Sequence, residues 1–114
     1  MTAPARTASA PVDVASAVAR AVTSLSDVAR LDDGVLGEIA TYGQRRRVGG
    51  IRIHSEQPLR IAVHVVVLSG RPVPEIAEEV RAAASAAVDR VDSALAGAVI
   101  DVDITDLEVR RGVR

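Results

Sequence analysis

The chain has 114 residues, a formal net charge of -1 and no cysteine. That length gives one domain with a core but not two; the near-neutral charge makes no electrostatic case for bulk nucleic-acid or anionic-membrane binding. Missing thiols exclude disulfides, thiolate zinc sites and cysteine nucleophiles, and the absence of Trp and Phe excludes the base-stacking platforms of single-strand binders.

Residues 1–10 are rich in Ala, Thr, Ser and Pro without periodicity and read as a disordered tail. A single domain is expected over residues 11–110, with a short basic tail over 111–114. Pro11 suits the first turn of a helix; Val14, Val18, Val22 and Leu25, with Ala15 and Ala19 beside them, then form one apolar stripe. Val28 to Leu31 reads as a short edge strand closed by the Asp32-Asp33-Gly34 turn. The stretch from Val35 to Tyr42 is ambiguous: Val35, Leu36, Ile39 and Ala40 fit two helical turns, but Gly37 and Gly43 bracket them. Val48 to His54 predicts one strand, with Ile51 and Ile53 inward and Arg52 outward, and Gly49-Gly50 allows a tight approach to it.

Ser55 to Pro58 is a turn, so this strand and the next, Leu59 to Leu68, predict an antiparallel hairpin. Ile61, Val63, Val65 and Val67 share one parity, as a strand facing a core requires. Val65-Val66-Val67-Leu68 is apolar on both faces. Ser69-Gly70-Arg71-Pro72 breaks the run. A helix from Pro74 to about Ala94 follows, with Ile76, Val80, Ala83, Ala87 and Val91 on one face and Gly97 ending it. Glu75, Glu78 and Glu79 occupy its first turns, where the helix dipole favours negative charge. The last strand alternates Ile100, Val102 and Ile104 against Asp101, Asp103 and Thr105. Parity then flips to Leu107 and Val109, which predicts a bulge near Thr105-Asp106 or the end of pairing.

The element order α-β-β-β-α-β gives an α+β domain, a small mixed sheet of three to four strands with two helices packed on one face. The strand-helix-strand unit from Leu59 to Val109 should cross over right-handed, with parallel strands. The opposite face carries Arg52, Arg60, His64, Asp101 and Asp103 mixed with Ala62, Val66 and Leu68. It is half apolar, and so a candidate contact surface.

Little in this inventory suggests chemistry. His54 and His64 lie on the two strands of one predicted hairpin, where they could be neighbours; metal binding would need Asp101 or Asp103 as further ligands. The plainer account is polar residues on a strand's outer face. Asp101, Asp103, Asp106 and Glu108 alternate as a solvated face does, with no glycine-containing calcium loop. Arg45-Arg46-Arg47 is the strongest local charge and could grip a phosphate or an acidic partner, since Arg pairs oxyanions bidentately. Three charges in a loop are more often an ordinary solvated loop. No Ser sits in a nucleophile elbow, and no glycine pattern cradles phosphate. The expectation is a non-enzyme with no metal or cofactor. No apolar run approaches the roughly 20 residues of a membrane span and the first residues lack the apolar core of a signal peptide, so a cytoplasmic protein is expected.

Four pieces of the chain carry a resemblance: Gly50-Ile51-Arg52-Ile53, His64 to Gly70, Val73-Pro74-Glu75-Ile76-Ala77, and Ile100 to Ile104. In this order they resemble the alkaline shock protein family, bacterial envelope stress response proteins. That family's pattern is a "G-V-x-V" strand, a valine-rich strand ending in Gly, an "I/V-P-E-V/I-A" helix start and a closing "V-x-V-x-V" strand. Ser26 to Leu31 is similar to the family's short "G-V-A-x-L" segment, with Asp27 in place of Gly. The resemblance covers about four fifths of the chain, omitting the first ten residues and Asp32 to Arg47, and the Ala- and Arg-rich composition looks actinobacterial.

The resemblance implies a non-catalytic cytoplasmic protein that self-associates, meets paralogues, and is recruited to the inner face of the membrane by small membrane-embedded partners. It brings no catalytic residue to this chain. The candidate contact residues are Arg45, Arg46, Arg47, Arg60, His64, Val66 and Leu68, or else the stripe of the first helix. The alternative is a small nucleic-acid- or anionic-ligand-binding domain using Arg45 to Arg47, Arg52 and Arg60.

Overall fold

The structure, a computed structural model, describes residues 10–110; the two expected tails, apart from Ala10, lie outside the described residues. The elements run α1 (Pro11–Thr23), β1 (Val28–Leu31), β2 (Ala40–Gly43), β3 (Arg46–Gly49), β4 (Ile51–His54), β5 (Arg60–Leu68), α2 (Val73–Val91), a 3-10 turn (Ser93–Leu95) and β6 (Val99–Glu108). The class is α+β: two helices, a mixed four-stranded sheet, and a separate two-stranded sheet of β2 and β3.

The valine-rich β5 is the axis of the sheet. Ile61, Val63, Val65 and Val67 are fully buried on one face. They meet Val14, Val18 and Val22 of α1 and Ile76, Val80, Ala84 and Val88 of α2 in one core without an aromatic ring. Parallel β6 runs along the whole of one edge of β5, and its register slips between Ile104 and Asp106 so that Thr105 is the extra residue. That is the predicted bulge; Leu107 falls opposite inward-facing Val67 because of it.

The other edge of β5 is shared. β4 covers its first half, Ile51 opposite Val63, and β1 covers its second half, Leu31 opposite Val65. Both are antiparallel to β5, so β1 and β4 are two collinear halves of a single interrupted strand. The seam lies at His64, whose amide donates to the Gly50 carbonyl (2.9 Å) and whose carbonyl accepts from the Asp32 amide (2.8 Å). Residues 33–49 are an excursion out of that seam, carrying a turn and the β2–β3 hairpin.

One expectation is corrected here and one open reading is decided. Val48 to His54 is not one strand: Gly50, at φ +84°, breaks it, and Val48 pairs with Thr41 in the excursion. The sequence from Val35 to Tyr42 contains no helix, only a turn followed by β2. The order is therefore α-β-β-β-β-β-α-β rather than α-β-β-β-α-β.

Candidate interaction site

The three consecutive arginines are split by the hairpin that carries them. Gly43 pairs with Arg46, leaving Gln44 and Arg45 as a two-residue turn, both with positive φ (50° and 61°). Turns of that geometry favour Asn and Gly, so two ordinary side chains hold an uncommon conformation here. Arg46 reaches Asp13 of α1. Arg47 pairs with Asp33 at 2.8 Å, donates to the Gly37 carbonyl at 2.8 Å and lies over the Tyr42 ring. The Asp33 carboxylate, and then the Tyr42 hydroxyl, raise the pKa of Arg47 above its ordinary value. Arg45 alone of the three has no partner among the described residues, so the run is not a free basic patch.

The outer sheet face is a lattice of ion pairs. Arg60 binds Asp101 at 2.7 Å, which raises the arginine's pKa. His64 Nδ1 approaches Asp103 at 3.1 Å without the alignment of a hydrogen bond. Arg30, opposite Val66, pairs with Glu108, opposite Leu68. Since β1 and β6 flank β5, that pair must pass over β5. Val66 beneath is fully buried and Leu68 is half-buried. The apolar patch expected at Val66 and Leu68 is thus closed within the chain. The histidines are not neighbours either, because His54 stands opposite Arg60 while His64 stands at the seam. Among the described residues, no three His, Cys, Asp or Glu side chains gather as a metal site would need.

Sequence reasoning missed two features. The first is Asp27, buried between α1 and β1. One carboxylate oxygen takes Arg71 (2.8 Å) and the other takes Arg110, so the residue ties the start of β1 to the start of α2 and the end of β6. Arg71 also binds Glu79 (2.7 Å) and Glu75 (3.3 Å). Asp27 is the position where the chain departs from the pattern it resembles, and its partners lie far along the sequence.

The second is the turn that opens the excursion. Val35 and Leu36 are 97% and 89% exposed, although burying either would be worth about 1.5–3 kcal/mol. The turn that presents them is braced. Gly34 takes a bond from its own amide to the Asp32 carboxylate (2.9 Å), and the Leu36 amide donates to Glu38 (3.0 Å). The Ile39 amide donates to the Asp33 carbonyl (2.8 Å), and Arg47 holds the Gly37 carbonyl. Gly34 and Gly37, at φ +90° and +73°, permit the bend. Tyr42, 66% exposed, stands nearby through its contact with Arg47. The signal was available in the sequence as Gly-Val-Leu-Gly, two large apolar residues bracketed by glycines.

No family model matches this chain, nor does any curated protein or any solved structure. Among the described residues no helix is long and apolar enough to cross a membrane.

Proposed function

We propose that this protein is a non-catalytic envelope stress response or cell-envelope homeostasis protein, working at the inner face of the membrane through self-association and contacts with a small membrane-anchored partner. The envelope setting rests on the sequence resemblance alone. The mode of action rests on one structural observation: a hydrogen-bonded turn holds Val35 and Leu36 almost fully in solvent. Isolated exposed apolar residues are ordinary, but an adjacent pair on a braced turn beside an exposed Tyr has the makings of a protein contact. The alternative, phosphate binding by the arginines, is disfavoured because Arg46, Arg47 and Arg60 already hold carboxylates.

Size-exclusion chromatography with light scattering, from low to high protein concentration, tests this reading. A mass that grows with concentration is the expected result. A monomer throughout, combined with salt-sensitive binding to a DNA duplex, would favour the alternative instead.

A further inference from the structure

The apolar turn has a counterpart on the same chain. Between the two helices, on the side away from the sheet, Ala17 and Ala21 of α1 and Ala87 and Val91 of α2 line a shallow groove of about 380 Å³. Its remaining lining residues are Arg20 and Arg90, and neither pairs with a carboxylate among the described residues. Among the described residues, the Arg20 guanidinium donates only to the Ser16 hydroxyl, at 3.3 Å. The Val35–Leu36 turn is followed by Glu38, whose carboxylate likewise pairs with no arginine among the described residues. It is instead turned to the Leu36 amide of the turn itself; Asp32, on the other flank, is engaged within its own chain by the Gly34 amide and lies near Arg30.

We propose that the Val35–Leu36 turn of one copy docks in the α1–α2 groove of a second copy, with Glu38 facing Arg20 and Arg90. The inference deepens the self-association proposed above and rests on it. Apolar meets apolar at the centre and unpaired acid meets unpaired base at the rim. A second cleft of similar volume, at Ser55 to Leu59 and Ala94 to Ala98, does not fit the same visitor: its only charged lining residue is Glu56, which would repel the turn. Turn and groove are different surfaces, so the contact is head-to-tail. The docked pair still offers one free turn and one free groove, and assembly continues until a ring closes.

Two variants at exposed positions test this without touching the core. Val35→Ser/Leu36→Ser keeps the groove and loses the turn; Arg20→Glu/Arg90→Glu keeps the turn and reverses the groove. Circular dichroism first establishes that both fold. Light scattering should then show wild type growing past a dimer, and each variant alone associating at least about tenfold more weakly. An equimolar mixture should stop at a one-to-one dimer, because only one turn and one groove remain competent. Wild type that assembles while both variants assemble equally well overturns the docking mode and leaves self-association standing. Variants that fail alone and stay apart when mixed also overturn it. A strictly monomeric wild type overturns both readings. In that case, sedimentation with vesicles of phosphatidylcholine and phosphatidylglycerol that depends on Leu36 would assign the turn to a lipid surface.

Discussion

Gly50 shows how much of this fold hangs on a single backbone position. A Cβ there would lie 2.6 Å from the Leu31 Cβ and 3.2 Å from the Asp32 amide nitrogen, and the backbone is already at φ +84°. Neither obstacle can swing aside, since one is the root of a side chain and the other is main chain. Gly50→Ala should therefore destabilise the protein by at least about 2 kcal/mol, read as a lowered urea midpoint with an unchanged slope. Asp32, across the seam, carries a different prediction. The Thr105 hydroxyl, and after it the Gly34 amide, hold the Asp32 carboxyl below its ordinary value of 3.8. On acidification the unfolded chain takes its proton first. The stability from Asp32 is complete above the ordinary value and is lost as pH falls through the folded one. Asp32→Asn should remove it, so that urea midpoints measured from neutral pH down to about pH 3 fall less steeply than in wild type.

At the scale of elements, the parts legible in the sequence were those whose own periodicity decides them. Alternating valines specify β5, the parity flip at Leu107 specifies the bulge in β6, and helical spacing with Glu75, Glu78 and Glu79 at its start specifies α2. The β2–β3 hairpin was not legible. Its strands show no alternation, and its turn is Gln44-Arg45 rather than a sequence that prefers positive φ. What holds it is distant: the Thr41 hydroxyl on the Ile51 carbonyl at 2.6 Å, Arg46 on Asp13, and Gly43 against Val12. The outer face was misread for the same reason. Parity placed Val66 outward, but only the three-dimensional register shows Arg30 and Glu108 joining above it. Val66→Asp should thus fail to fold rather than report on a surface, since a charge buried there costs several kcal/mol; a lost far-UV circular dichroism spectrum is the readout. Asp27 joins three elements that share no local signal. Asp27→Asn should cost about 1–3 kcal/mol, and a double-mutant cycle with Arg110→Ala should show the two positions coupled in urea unfolding.

Across the whole molecule, stability and contact-making are separated in space. The core is built from aliphatic residues of α1, α2 and the sheet. The most exposed apolar side chains of residues 33–49, Val35 and Leu36, stand on an excursion from one interrupted strand and add nothing to that core. Val35→Ser/Leu36→Ser should accordingly leave the thermal midpoint almost unchanged, within about 0.5 kcal/mol of wild-type stability, as followed by circular dichroism at low protein concentration. A large loss would mean that the turn packs within its own chain.

The place of Tyr42 gives the protein an optical property of its own. With no Trp in the chain, this one ring is the only intrinsic fluorophore of consequence, and it stands outside the core, beside Arg47 and the Val35–Leu36 turn. Unfolding moves the ring only a little further into water, since it is already two-thirds exposed, but removes its contacts with Arg47. Its emission will register that loss and also whatever settles against that end of the molecule, so a titration can be followed without any label.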